Sequence, residues 1–397
     1  MANNLFDKPV FIPKIQSGNV MKSGINFQYS IVDAQYVERY PDIFESVKEI
    51  SENIIVDPVT YLFDFPIASS KVNFKKLPYS DVLIERLYED KYRLENLVWK
   101  SIEYQIGKNS AILTAPYLYA EGFTGGNFNN SLTMLSETLY YCRDEKNHTP
   151  VFATLCISDA ILRTTRSIDQ LVAYYSDPEI VKYLSGYIIM ISGDVDRKAD
   201  QNILRGLAYL VAKLSSEKEV IVKQVGGFGE ALLAIGASAV ISGLAGGENF
   251  NIAYLKSTEG FGRDHTQWTY VPEVYDYVNI AELAAKVDIG CDCPSCEKKI
   301  GKINTSACEK KLHFLYRKWD AINAIATVSK SKRIDLVLSN YELARKTVNK
   351  YRARGVDLSV GHLDRWISVL NEAKEWDLGK QDDKLDKILE ALDSAKM

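Results

Sequence analysis

Short apolar segments alternate with longer amphipathic segments over the first 250 residues of the chain. Seven apolar segments have the composition of strands, namely 25–32, 53–63, 111–119, 151–157, 186–191, 219–225 and 239–244. Between them lie helix-like stretches, among them 199–214, with apolar residues at helical spacing, and the shorter 228–235. Strands that are almost continuously apolar and separated by helices are typical of a parallel sheet covered on both faces. The pattern therefore predicts an α/β fold.

The number of segments favours a closed barrel over an open sheet. Seven strands, with one further strand expected between 64 and 110, predict a TIM-like (β/α)8 barrel whose active face lies at the strand C-terminal ends. We expect this barrel to occupy 1–285, with an inserted segment near 249–290. A zinc-binding, mainly helical subdomain is expected at 286–397, with helices at 306–328, 335–353, 360–374 and 383–395.

Composition narrows the class of protein. The 48 Lys and Arg residues against 52 Asp and Glu residues give a formal net charge of −4, which argues against a protein that coats nucleic acid by charge alone but leaves room for a local basic groove. A hydrophobic fraction of 46% excludes a disordered chain. No apolar run approaches the roughly 18 residues of a membrane span, and the N-terminus does not resemble a signal peptide. The sequence predicts a cytoplasmic protein without a membrane partner.

A cysteine cluster near residue 291 predicts a metal site. The spacing Cys291-x-Cys293-x-x-Cys296 places three thiols within six residues, which suits one tetrahedral zinc ion more than a disulfide framework. A fourth ligand is available in Cys308, His313 or His362, and we take His313, on the following predicted helix. A closed site of this kind holds a structural zinc; the alternative is a cluster of reduced thiols without metal.

The cluster CDCPSC, placed after a predicted barrel and before helices, resembles the tRNA-guanine transglycosylase superfamily. That superfamily includes the queuosine and archaeosine enzymes and the paralogues that insert 7-deazaguanines into DNA. The segment 54–58, Ile-Ile-Val-Asp-Pro, is similar to the family strand that carries a proton-accepting aspartate. The resemblance implies this role for Asp57, a structural zinc, tRNA or DNA as a partner, and a homodimer or a heterodimer with a related subunit.

The chain departs from the family pattern where the family's nucleophile lies. The stretch 236–243, which matches the last barrel strand, has no carboxylate at the required place. The family's base-reading groups would fall near Ala115 and Cys156, again without the expected side chains. Glu248 and Asp264 are candidates for a displaced catalytic carboxylate, although the more common role of such residues is in a loop or a helix cap.

Glycines at consecutive predicted strand ends are candidates for substrate binding. Backbone N–H groups of such turns can hold a phosphate, although tight turns that require glycine explain them as well. Gly193 and Asp194 also echo the family's glycine-rich base-binding loop. The substrate-binding candidates are Gly193, Asp194, Gly226, Gly227, Gly246 and Gly247.

Two functions of different classes follow from these residues. The first is a pentosyltransferase that exchanges guanine or 7-deazaguanine bases in tRNA or DNA, using Asp57 and a displaced carboxylate. The second is a catalytically altered or non-catalytic homologue that binds nucleic acid or a catalytic partner as an accessory subunit. The missing carboxylate in 236–243 favours the second function, and Asp57 with the glycine turns favours the first. An unrelated barrel enzyme for a phosphorylated small molecule is a third, weaker alternative.

Overall fold

The computed structural model describes residues 5–80, 91–193, 195–244, 247–256, 268–296, 298–299 and 307–376. Its strands are β1 Val10–Pro13, β2 Phe27–Asp33, β3 Ser51–Asp57, β4 Leu113–Thr114, β5 Val151–Ser158, β6 Gly186–Ser192, β7 Glu219–Lys223, β8 Ala239–Ser242, β9 Trp268–Val271, β10 Asp276–Asn279, β11 Gly290–Cys291 and β12 Lys298–Lys299. Its α-helices are α1 Ala34–Arg39, α2 Pro41–Ile50, α3 Pro66–Ser69, α4 Val72–Lys75, α5 Lys91–Gly107, α6 Gly126–Asp144, α7 Thr165–Tyr175, α8 Pro178–Val181, α9 Gln201–Ser215, α10 Gly229–Ile235, α11 Ala253–Lys256, α12 Ile280–Lys286, α13 Ala307–Ala326, α14 Arg333–Arg352 and α15 Gly361–Lys374. The helix predicted at 383–395 lies outside these ranges.

A curled parallel sheet of six strands, in the order β1-β8-β7-β6-β5-β4, is the centre of the fold. Strands β2 and β3 form a second parallel pair. Backbone hydrogen bonds join this pair to both edges of the larger sheet: Ile15 N–H donates to the Ile31 carbonyl (2.9 Å), and Ala111 N–H donates to the Ile54 carbonyl (2.8 Å). The mixed α/β prediction is confirmed, whereas the complete eight-stranded barrel stays a prediction.

Alternation along the strands produces two separate cores. The smaller core, on one face of the sheet, is aliphatic apart from three aromatic residues, Phe6, Tyr29 and Phe152. It consists of Phe6, Val10, Ile12, Tyr29, Ile31, Ile55, Ile112, Phe152, Ile188, Ile221, Ala239 and Ile241. The other strand face packs against the helices in a much larger core, which also contains the clustered cysteines. Burial on both faces explains the continuous apolar sequence of strands such as β6.

The sequence analysis missed one strand. A strand lies at Val10–Pro13, while the described residues between 64 and 110 form α3, α4 and α5 and the start of the loop before β4. Four apolar residues ending in proline give too short a pattern to separate a strand from a loop. The strand exists because Val10–Pro13 pairs residue by residue with Ala239–Ser242, a partner that is distant in sequence.

Two further differences concern strand ends. The segment predicted at 53–63 is a strand only to Asp57, and a 3-10 helix, Thr60–Asp64, follows it. In the segment predicted at 111–119, only Leu113 and Thr114 are paired as a strand, while the residues after them stay buried. Among the described helices none is long and apolar enough to cross a membrane.

Helix α9 approaches its neighbours more closely than a side chain would allow. A Cβ atom on Gly206 would lie 2.0 Å from the carbonyl oxygen of Leu162. Gly206→Ala should therefore lower the free energy of unfolding by about 1–3 kcal/mol, although alanine is the better helix former by about 1 kcal/mol. Gly107→Ala is the matched control, because no atom lies within 4 Å of its Cβ position. Urea denaturation that finds both variants equally stable would contradict this packing.

Candidate metal centre and charged strand ends

Three cysteines and one histidine meet where a short antiparallel pair faces α13. Cys291 ends β11, and the chain then turns so that Cys296 N–H donates to the Cys293 carbonyl (3.0 Å). His313 lies two turns into α13 and is completely buried. The ligand atoms of these four residues all lie within 4.8 Å of one another. The cysteine turn thus supplies three of the four side chains, and the helix supplies the fourth.

The distances fit a tetrahedral ion. Nδ1 of His313 lies 3.6 Å from Sγ of Cys291, 3.4 Å from Sγ of Cys293 and 3.1 Å from Sγ of Cys296. Zinc–sulfur bonds of about 2.3 Å and zinc–nitrogen bonds of about 2.0 Å put tetrahedral nitrogen and sulfur ligands about 3.5 Å apart. The four side chains therefore suit zinc, which would act there as a structural ion and leave no open position for substrate.

The histidine is oriented from outside the cluster. Its Nε2 donates to the backbone carbonyl of Tyr270 (2.8 Å), which is part of β9. A proton on Nε2 leaves Nδ1 with its lone pair directed at the thiols, as a metal ligand requires. The backbone of β9 is therefore part of the support of the candidate metal centre.

The thiols influence each other strongly because they are so close. Hydrogen bonds from Cys293 and Cys296 hold the pKa of Cys291 far below its ordinary value. Hydrogen bonds with Cys291 and Cys293 raise the pKa of the Cys296 thiol, because they favour its protonated form. Three thiolates in this space need a cation, and thiolates are the form that binds metal.

Of the other proposed fourth ligands, His362 lies away from this group and Cys308 has no described side chain. His362 begins α15, where its ring contacts Trp366 at 5.0 Å between ring centroids, and it bonds to the backbone of Val274. Cys308 is in the first turn of α13, but its side chain is outside the described part of the structure. His313 is thus the fourth ligand in the geometry that the structure describes.

A buried ion pair lies at the C-terminal ends of β3 and β7. Lys223 donates to Oδ2 of Asp57, and the two side chains are 1% and 3% exposed. The hydroxyl of Tyr117 donates to the same carboxylate (2.9 Å to Oδ1), and so does Val59 N–H (2.8 Å). Asp57 is therefore enclosed by donors of its own chain.

Both members of this pair are charged. Burial opposes ionisation of Asp57, but Lys223 outweighs it and holds the pKa of the carboxyl below its ordinary value. Burial likewise disfavours the ammonium of Lys223, and the negative charge of Asp57 raises the pKa of this lysine instead. An ionised aspartate engaged in this way is a poor acceptor for a substrate proton.

A second buried pair lies beside the first. Lys14 Nζ is 3.0 Å from Oδ2 of Asp33, and Asp33 is the register partner of Asp57 on the adjacent strand. Oδ1 of Asp33 has no hydrogen-bond partner among the described residues. Two aspartates and two lysines thus share the strand-end layer, and their charges cancel.

The sequence analysis identified Asp57 in this layer but missed both lysines and Tyr117. A lysine that directly follows three buried apolar strand residues, as in Glu219–Lys223, is the signal that could have found Lys223. Its meaning depends on Asp57, which is 166 residues away in sequence, and spacing alone does not reveal such a partner.

Glu248 lies in a different buried cluster. Its Oε1 and that of Glu230 are 3.6 and 3.5 Å from Nζ of Lys318, which extends from α13. The other oxygen of each glutamate accepts a hydrogen bond from a tyrosine hydroxyl, Tyr277 for Glu248 (2.7 Å) and Tyr275 for Glu230 (2.9 Å). Glu248 is therefore engaged between α13, which carries His313, and the β9–β10 hairpin.

The described glycines use their N–H groups or their small size within the fold. Gly226 N–H donates to the Glu248 carbonyl (3.1 Å), and Gly227 N–H donates to Oδ1 of Asp196 (3.1 Å). Gly193 N–H donates to the Phe250 carbonyl (3.2 Å), and Gly247 contributes its carbonyl to Gly243 N–H (3.2 Å). Their role in substrate binding stays a prediction. Asp194, Gly246 and Asp264 lie outside the described residues.

Replacing His313 tests the metal centre. We expect one zinc per chain in the purified protein and loss of most of it in His313→Ala, since one of four ligands is removed. The exposed His148 provides the control His148→Ala, which should keep its zinc. Metal content by mass spectrometry measures both, and a zinc-free wild-type protein would contradict the assignment.

Replacing one partner of the Asp57–Lys223 pair tests its burial. Asp57→Asn or Lys223→Met should each cost about 3–5 kcal/mol of unfolding free energy, because an unpaired charge stays buried. The double variant should lose less than the sum of the two. Lys48→Met, in the exposed pair with Glu45, should change little. Additive losses in chemical denaturation would show that the two side chains do not interact.

No family model and no curated protein sequence significantly matches the chain. The charged and metal-ligating side chains are therefore the observations from which its function is inferred.

Proposed function

We propose that the chain is a divergent tRNA-guanine transglycosylase-like protein that binds a guanine or 7-deazaguanine base of tRNA or DNA but does not exchange it by the family's route. The observation that carries this proposal is the buried pair of Asp57 and Lys223. The residue matched to the family's proton acceptor already has its counter-ion in the same chain.

The architecture supports membership of that superfamily. Six parallel strands, with a parallel pair bonded to both edges, are what an eight-stranded (β/α)8 barrel requires. The Cys291, Cys293, Cys296 and His313 centre follows these strands in sequence, as the zinc subdomain does in the family. When bound there, zinc supplies stability to the region around α13 and no chemistry.

The described carboxylates support altered catalysis. Base exchange needs a carboxylate that attacks the anomeric carbon and a second group that carries the proton. Asp57 is ionised and enclosed, and Glu248 is held by Lys318 and Tyr277. Neither carboxylate can direct an oxygen to a substrate unless a buried ion pair is broken first.

Exposed cations support contact with a nucleic-acid backbone. Lys346, Lys350, Arg352 and Arg354 are exposed on and just after α14. Cations of this kind hold phosphates without reading sequence. A second copy of the chain or a related catalytic subunit would complete the assembly if the protein acts as an accessory subunit.

A second candidate function, base exchange itself, is favoured by one observation. Asp33 and Asp57 are register partners on adjacent strands, so two carboxylates lie side by side at the strand ends. If substrate binding displaces the lysines, this pair would provide the two carboxylates that the reaction requires.

Radiolabelled guanine separates the two functions. We expect the protein to retain unmodified tRNA or DNA in a filter-binding assay without incorporating labelled guanine into either. Incorporation that disappears in Asp33→Asn and Asp57→Asn would establish the exchange reaction instead. If the protein retains neither tRNA nor DNA at low salt and in the presence of zinc, the proposed binding function is contradicted.

A further inference from the structure

Two neighbouring helices, α5 and α6, expose large apolar side chains. Tyr92, Trp99 and Ile106 on α5 are 70%, 42% and 36% exposed, and Tyr140 on α6 is 51% exposed. The three α5 residues are seven positions apart, so they form one stripe along a single face of the helix. Soluble proteins expose clustered apolar area of this kind mainly where another molecule binds.

Helix α6 extends the stripe sideways. The ring of Tyr141 lies 6.3 Å from that of Trp99, measured between centroids. Tyr140 lines a surface cavity of about 230 Å³ together with Leu139 and Ile180, between α6 and α8. This volume is below the roughly 300 Å³ of the smallest common small-molecule sites. The cavity suits a single side chain inserted from a protein partner.

Charges of both signs lie beside the stripe. Nζ of Lys91, whose side chain is 75% exposed, is 3.3 Å from Glu95 and 3.9 Å from Glu137. Glu103 is exposed at the other end of α5 and accepts a hydrogen bond from the Tyr141 hydroxyl (3.3 Å). Carboxylates in these positions repel a phosphate backbone, whereas a surface that carries both signs can pair with a copy of itself.

We propose that the outer faces of α5 and α6 bind a second copy of the chain, with the two α5 helices antiparallel and Trp99 at the two-fold axis. Tyr92 then meets Ile106 of the partner subunit, because each lies seven residues from Trp99. Lys91 is brought toward Glu103 of the partner subunit, so opposite charges face each other across the contact. The exposed pair of Lys91 with Glu95 contributes little and does not oppose this exchange.

The exposed area matches what a stable dimer needs. The four side chains of the stripe and Tyr140 together present about 400 Å² of apolar surface, if a whole side chain of this size has about 150–250 Å². A standard interface buries about 800 Å² on each partner, and slightly more than half of it is apolar. The contact is independent of the proposed function and of the metal centre, since α13 packs against β1, β9 and α10.

Sedimentation velocity of the full-length, zinc-containing protein tests the contact. We expect a dimer at micromolar concentration, and Trp99→Glu should raise its Kd by about thirtyfold or more, as loss of a central aromatic side chain does. Leu343→Glu is the matched control, because Leu343 on α14 is 65% exposed outside the stripe, and its dimer should persist. A wild-type monomer, or a dimer that persists in Trp99→Glu, would overturn the proposal.

A cross-link tests the arrangement of the two helices without introducing a charge. A residue at a two-fold axis faces its own copy, so Trp99→Cys should form a disulfide between two chains under mild oxidation and give a covalent dimer on a non-reducing gel. The wild type and Leu343→Cys, which keep all native cysteines, should stay unlinked. If Trp99→Glu dissociates the dimer but position 99 does not cross-link, the antiparallel arrangement is wrong.

Discussion

A charged side chain in a protein interior needs a counter-ion, and this requirement determines which residues lie in the strand-end layer of this molecule. Lys223 and Lys14 project among apolar neighbours, where an unpaired ammonium would cost several kcal/mol. Asp57 and Asp33 supply the opposite charges on adjacent strands. Tyr117 then orients toward Asp57, and Tyr61 stacks on Tyr117 with ring centroids 5.6 Å apart. The pairing thus keeps both of these carboxylates in the interior.

The metal centre and the central strands are connected through one tyrosine. The backbone of Tyr270 orients His313, and its ring lies 5.0 Å from the ammonium of Lys318. Lys318 in turn lies between Glu230 and Glu248, which follow β7 and β8. Helix α13 is therefore fixed at two levels, by its histidine at the thiol cluster and by its lysine at the loops of the parallel sheet.

The features that depend only on residues close in sequence were predicted correctly from local patterns. Cys291, Cys293 and Cys296 were identifiable because their spacing alone brings three thiols together, and β5, β6 and β7 because both strand faces are apolar. Predictions failed or stayed open where a distant partner decides the outcome. The segment 10–13 is a strand only because 239–242 pairs with it, and Asp57 is a suitable proton acceptor only if nothing like Lys223 faces it. Sequence order does not show either relation.

The paired layer also constrains how this part of the molecule can change over evolutionary time. A substitution of Lys223 alone leaves the charge of Asp57 unpaired, and a substitution of Asp57 alone leaves that of Lys223 unpaired. A protein with only one of the two substitutions is therefore destabilised and selected against. A change at either position, 166 residues apart, is therefore expected to require a compensating change at the other, and the same holds for Lys14 and Asp33. A free aspartate at the end of β3 would therefore require that Lys223 be lost or paired with another anion, so Asp57 cannot be freed by a change at its own position.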